Sequence, residues 1–365
     1  MKRRILAVAT QGTGGDDETR LRALVSGLPK EYEIEFFPFD RKSKWKSFYD
    51  FVIRARSSKP DLVILEGTGL GGGGAALMAR ALSGIPYIVS SGDAVGPFVA
   101  GRVRWAAPVF QAYERALCRF SSGYVGWTPY LTGRALTFGA GRAMTAANWD
   151  FNPLSEYEWQ RARIEIREKY SIPASDLVIG IAGSLAWNPR VKYCYGLEII
   201  KAMSRIRRKD LHALIVGDGN GRPYLDTLIG DTKLKVHFTG RIPHSEVSRH
   251  LAAMDIGSLP QSLDQVGNFR YTTKLSEYLG SRLPVVTGRL PFTYDLGSSW
   301  LWRLPGKNPW EENYLNALAE LLETVQTSAV EEKRAAMRAF PSLIFDSRDQ
   351  IARFTEFVTE AFDSK

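Results

Sequence analysis

The stretch Leu259–Val286, LPQSLDQVGNFRYTTKLSEYLGSRLPVV, gathers residue types from which a binding chemistry can be built. Tyr271, Thr272 and Thr273 precede Lys274-Leu275-Ser276-Glu277-Tyr278-Leu279, which reads as a helix stopped by Gly280 and Ser281. A helix start leaves backbone N–H groups without intrahelical acceptors and carries the positive end of the dipole, so it can receive an anion. Glu277 stands one turn in, where a carboxylate can accept hydrogen bonds from sugar hydroxyls. Upstream, Gly183-Ser184-Leu185-Ala186-Trp187-Asn188-Pro189-Arg190-Val191-Lys192 follows a strand and precedes a helix. Gly183 and Ser184 permit close backbone approach, and Arg190 and Lys192 offer cations to a diphosphate. Gly217 in Val216-Gly217-Asp218-Gly219 marks a turn at a strand end. Thr239-Gly240-Arg241-Ile242 could pair main-chain groups with a nucleobase edge. Each piece is weak alone; the order and spacing make the set specific.

The elements that position these residues alternate along the chain. In the first half, Ile5–Thr10, Glu33–Phe37, Leu62–Leu65, Pro86–Ser90 and Gly123–Trp127 read as strands separated by helices, with a last strand-and-loop region at Ala135–Trp149. Strand, helix, strand order with apolar strands implies a parallel, doubly wound sheet. A polar stretch at Asp150–Ser175 reads as the linker. The second half starts afresh at Leu177–Gly183 and repeats the pattern. The expected architecture is α/β, two facing Rossmann-like doubly wound domains with a cleft between them, where loops at the carboxyl ends of strands bind ligand. Residues 1–165 form the first domain and 166–345 the second, and a helix over 346–365 crosses back to the first.

With the pieces in order, the second half resembles the donor domain of GT-B glycosyltransferases, closest to glycosyltransferase family 4. The resemblance is carried by Ala182-Gly183-Ser184-Leu185, Ile215-Val216-Gly217-Asp218-Gly219, Phe238-Thr239-Gly240-Arg241-Ile242 and Lys274–Leu279 with Pro284-Val285-Val286. It covers about Val178–Val286 well, and over the first half only the fold order and first glycine loop. It implies that Glu277 binds ribose hydroxyls, Arg190 or Lys192 the diphosphate, N–H groups of Tyr271, Thr272, Thr273 and Lys274 cap it, and Arg241 and Ile242 meet the base. Gly183, Ser184 and Gly217 complete the donor loops. The family commonly pairs two glutamates eight residues apart. Here Phe269 stands in the first position, leaving Asp264, Asn268 or backbone N–H groups to reach the sugar. The family's basic residue after the first glycine is here Ser184. Its first-domain histidine is also missing, since His212, His237, His244 and His250 all lie in the second half; Asp93 is the substitute candidate for a catalytic role, with a turn Asp as the alternative. The resemblance further implies transfer of a hexose-type sugar from a UDP- or GDP-sugar to a glycan, lipid-linked or small-molecule acceptor, with retention at the anomeric carbon, in cell-surface polysaccharide or glycolipid synthesis. No cofactor is expected, and no Asp-x-Asp site suggests a metal.

The first half holds two further motifs. Gly12-Thr13-Gly14-Gly15 leads into Asp16, Asp17 and Glu18, whose charges suit a helix start and repel phosphate; Gly14 and Gly15 are therefore acceptor-binding candidates. Gly67-Thr68-Gly69-Leu70-Gly71-Gly72 satisfies the dinucleotide pattern, with Asp93 about 20 residues on. It supports two readings, a dinucleotide-dependent oxidoreductase and, preferred because it follows the third strand, a flexible glycine loop over the cleft. A third possibility is a non-catalytic GT-B binding protein. Net charge is +9, concentrated in the first half, and no recognised nucleic-acid motif accompanies it. The segment 41–56 is basic and aromatic, with Trp45, Phe48, Tyr49 and Val52 at helical spacing; the first reading turns these to the core, the second sets the segment on an anionic membrane. Two cysteines, Cys118 and Cys194, exclude a disulfide framework. With no apolar run long enough to span a bilayer, the expected setting is cytoplasmic, with peripheral contact at the inner face of the plasma membrane under the second reading.

Overall fold

A computed structural model describes residues 2–101, 103–147, 153–230, 232–297, 299–338 and 342–363. The end of the last strand-and-loop region, Asn148 and Trp149, and the start of the expected linker, Asp150–Asn152, lie outside them. The chain forms two compact units: Met1–Trp149 with Phe269–Tyr271 and Leu343–Lys365, and Asp150–Asn268 with Thr272–Ser342.

The first unit is a six-stranded parallel sheet of β1 (Arg3–Ala9), β2 (Tyr32–Phe36), β3 (Leu62–Glu66), β4 (Tyr87–Ser91), β5 (Gly123–Gly126) and β6 (Ala143–Thr145), ordered β2-β1-β3-β4-β5-β6. Alternation splits β1 between two cores. Leu6 and Val8 join Phe51, Val52, Ala75, Ala79 and Leu117 on one face, and Ile5 and Ala7 join Leu21, Leu24, Phe354 and Val358 on the other. The C-terminal helix Ser347–Asp363 thus packs beneath the first sheet, against the helix Asp16–Val25. Gly27 has no room for a Cβ, which would meet Ile351 Cγ2 at 2.4 Å.

The glycine run after β3 departs from the expected loop. Gly71, Gly72, Gly73 and Gly74 lie inside the helix Leu70–Ser83. Glycine disfavours a helix by about 1 kcal/mol per residue, yet here side chains would not fit. A Cβ on Gly72 would meet Thr10 Cγ2 at 2.4 Å, and one on Gly73 the Tyr113 hydroxyl at 2.1 Å. Close packing overrides propensity, and the run is a rigid helix start rather than a flexible flap. Residues 129–137 form a helix, so the start of the expected strand-and-loop region at Ala135 is helical; Thr128 caps it, its Oγ1 accepting from Leu131 N.

The second unit carries β7 (Leu177–Ala182), β8 (Leu211–Val216), β9 (Lys235–Phe238), β10 (Ile256–Leu259), β11 (Val285–Thr287) and β12 (Leu301–Arg303), all parallel and ordered β12-β11-β10-β7-β8-β9. The helix Glu156–Lys169, which the sequence assigned to the linker region, belongs to this unit. A capping box from Ser155 and Glu158 starts it. Arg163 and Arg167 then meet the buried Asp255 at 2.5 and 2.6 Å, and Trp159 Nε1 donates to Ser281 O.

Candidate functional site

In the second unit, glycines at the strand ends stitch three loops together. Gly183 follows β7 with φ +155°, and Gly217 follows β8 with φ +128°. A Cβ on Gly217 would lie 2.0 Å from Gly183 O, so only glycine lets the two loops touch. Gly217 N donates to Gly240 O at 3.1 Å, drawing in the loop after β9. Leu185 N donates to Asp218 O and Gly221 N to Leu185 O. Behind them the buried Glu198 accepts from Tyr193 Oη at 2.8 Å and Ser258 Oγ at 2.7 Å, tying the loop to β10. Burial pushes the Glu198 carboxyl up.

The cation that reaches Gly183 is Lys274. Its Cε and Nζ are the atoms nearest to where a Gly183 Cβ would stand, both at 2.9 Å, and its ammonium lies 4.3 Å from the Tyr195 ring centroid. Arg190 and Lys192, assigned to the diphosphate by resemblance, sit on an exposed turn closed by hydrogen bonds between Asn188 and Tyr193. Lys192 takes a left-handed φ of 50° there. Ser184 is exposed. The resemblance assigns Lys274 only its backbone N–H; the sequence does not show that the helix folds back to bring its side chain onto the first loop.

Lys274 and Glu277 lie three residues apart on the helix Thr273–Gly280 and so share a face. Glu277 lines a cavity of about 390 Å³ with His244, Ser245, Val247, Ser248, Leu251 and Ser281. Val247 and Leu251 give it an apolar wall, the serines and Glu277 polar groups. Half-buried Ile242 and exposed Arg241 precede this wall on the loop after β9. Thr272 caps the helix by position only, and its buried Oγ1 has no hydrogen-bond partner. Thr273 is exposed at the helix start. Asn268 Oδ1 is likewise buried and unpartnered. Asp264, a candidate for the missing glutamate, is engaged instead: its Oδ1 accepts from Val266 N and Gly267 N and shapes the turn.

Phe269, Arg270 and Tyr271 belong to the first unit. The Phe269 ring packs on the core there under the Arg134 guanidinium, and its carbonyl accepts from Thr128 Oγ1 at 2.8 Å. Tyr271 is buried against Tyr130 and Phe345, so its side chain is packing rather than a donor contact. Arg270 Nε donates to Asp93 Oδ1 at 2.5 Å.

That pair edges a cavity of about 520 Å³ in the first unit, lined by Thr10, Gln11, Arg41, Lys44, Gly69 and Phe98 among others. It lies over the carboxyl ends of β1 and β3, between which the strand order reverses, the usual ligand position in such sheets. Gly14 and Gly15 do not line it; they form an exposed turn, where Gly14 N donates to Glu18. Beneath it Glu66 is fully buried, accepting from Ser90 Oγ at 2.8 Å and Trp127 Nε1 at 3.0 Å, with Arg20 Nε 3.6 Å away. Burial pushes the Glu66 carboxyl up to about 7, against the pull of Arg20. Burial also raises Asp17, whose Oδ2 approaches the Gly67 turn. Neither Glu66 nor Arg20 carries a periodic signal; the clue to Glu66 is a charged residue ending the apolar strand Leu62–Leu65.

Residues 176–324 match the family model of glycosyl transferases group 1. No curated protein matches the chain. Among solved structures, HepE of Anabaena in complex with UDP gives a TM-score of 0.68 at 16% identity, covering 99% of this chain and 100% of that one. Sucrose-phosphate synthase from Thermosynechococcus elongatus gives 0.71 at 14% identity, covering 100% of both. A glycosyltransferase from Rickettsia africae gives 0.66 at 13% identity, again covering 100% of both. The shared fold runs the length of the chain: the chain has the GT-B fold of these proteins, and the unit holding Lys274 and Glu277 carries the stretch, 176–324, that matches glycosyl transferases group 1.

Proposed function

We propose that the protein transfers a hexose-type sugar from a UDP- or GDP-sugar to an acceptor hydroxyl, with retention, in the synthesis of a surface polysaccharide or glycolipid. The observation that carries this reading is the shared face of one helix. Lys274 meets the Gly183 backbone, where a diphosphate would lie, and Glu277 faces a nucleoside-sized cavity. The ammonium and the first-turn N–H groups are aimed at charge that grows on the departing diphosphate, which is electrostatic catalysis requiring no covalent nucleophile. Glu277 accepts from ribose hydroxyls, and the loop of Arg241 and Ile242 meets the base. The UDP held by HepE favours a uridine donor. The first unit's cavity takes the acceptor, with Asp93 and Arg270 at its edge. A panel of UDP-, GDP- and ADP-sugars against NAD(P) in thermal unfolding tests the donor, followed by release of free nucleotide with candidate acceptors. Stabilisation by a nucleotide sugar, lost in Glu277→Ala, supports the reading; stabilisation by NAD(P) alone contradicts it.

A further inference from the structure

Exposed large apolar side chains are distributed unevenly in the first unit. On the helix Lys44–Ser58, Trp45 is 57% exposed and Tyr49 and Ile53 each 65%, at positions i, i+4 and i+8, while Phe51, Val52 and Ala55 are buried. The segment therefore resolves into two faces, one packed on the sheet and one aromatic stripe turned outward. Its neighbours continue the surface. The helix Leu70–Ser83 packs against it, through Gly74 on Phe48, and against the helix Ala107–Arg119, through Gly73 on Tyr113 and Leu117. It exposes Leu82, and the adjoining 104–109 stretch exposes Trp105 (83%) and Val109. Among the described residues, the helices on the other face of this sheet, Asp16–Val25 and Ser347–Asp363, expose no large apolar side chain.

The charge on this face is mostly positive, with Arg54 paired to Glu35 of β2 at 2.7 Å. The three helices carry Lys44, Lys46, Arg54, Arg56, Arg80, Arg115 and Arg119 against Asp50 and Glu114. Glu114 is buried and bound by Arg134, so Asp50 is the only exposed acid on them. Lys46 and Arg56 flank the Trp45–Tyr49–Ile53 stripe. Aromatic and aliphatic side chains that can enter the headgroup region, set among cations, complement an anionic bilayer. No helix among the described residues is long and apolar enough to cross one. We propose that this helical face of the first unit docks on an anionic membrane, with Trp45, Tyr49, Ile53 and Trp105 entering the interface and Lys46 and Arg56 meeting lipid phosphates. The inference stands whether or not the donor assignment does.

The test is co-sedimentation of the full chain with phosphatidylcholine vesicles, with and without 30% phosphatidylglycerol. Binding to the anionic vesicles is expected to exceed binding to the neutral ones at least tenfold. The triple variant Trp45→Ser, Tyr49→Ser, Ile53→Ser and, separately, Lys46→Glu with Arg56→Glu should each weaken it at least tenfold, with unfolding temperatures unchanged because all five positions are on the surface. No binding to either vesicle, equal binding to both, or binding indifferent to both variants would overturn the proposal. So would a wild-type dimer in lipid-free sedimentation velocity that the triple variant dissolves, since the face would then belong to a second copy of the chain.

Discussion

At the residue scale, the proposed function has Glu277 and Lys274 divide the donor between them. Removing the carboxylate leaves ribose hydroxyls without a charged acceptor, worth about 1.5–3 kcal/mol. Glu277→Ala should therefore weaken UDP or GDP binding about ten- to hundredfold in calorimetric titration, with little change in unfolding temperature. Lys274→Met should lower kcat about hundredfold, the scale for losing one group aimed at developing charge. Arg190→Met and Lys192→Met should cost much less, because the atoms nearest Gly183 belong to Lys274 and Tyr195. The helical position of Glu277, one turn in, was legible from the sequence pattern. The fate of Phe269 was not, since it depends on an acceptor carbonyl and a ring contact to residues more than 130 positions away.

At the scale of elements, the glycine run shows where pattern reading fails. Four consecutive glycines contradict helix propensity, and nothing local says that Thr10, Phe39 and Tyr113 occupy the space their side chains would take. Gly72→Ala should destabilise the first unit by about 1–3 kcal/mol through overpacking, outweighing the roughly 1 kcal/mol helix gain; chemical denaturation reads the difference. The strands were legible from apolar runs, whereas β12 and the helices Glu312–Thr324 and Thr327–Arg338 went unread. In the second unit, His212, His237 and His250 are held below the usual value of 6.5, burial being the main cause for each. The unfolded chain therefore takes up protons first as the solution is acidified. Stability from these groups is full above about pH 6.5 and falls as pH drops through their lower folded values. Unfolding followed from pH 7.5 to 5 should show the second unit losing stability. Exchanging His237, stacked on His212, for Phe should flatten that dependence.

For the whole molecule, two alternating units were readable in the sequence, as was the return of the last helix to the first unit; the membership of Phe269–Tyr271 was not. Phe269–Tyr271 and Leu343–Lys365 join the first unit because aromatic side chains find its core, a choice made by packing rather than by chain order. Each unit has its own core, so a ligand held by one should stabilise that one. At about 100 times its Kd, a nucleotide adds about 2.7 kcal/mol to the state that binds it. Hydrogen exchange on the full chain, with UDP, GDP or NAD added, shows which unit holds the nucleotide. UDP or GDP should slow exchange in the loops 183–196 and 240–251 and at the start of the helix Thr273–Gly280, and Glu277→Ala should remove the effect. Protection by NAD at residues 67–74, with none in the second unit from any nucleoside diphosphate, would contradict the proposed function.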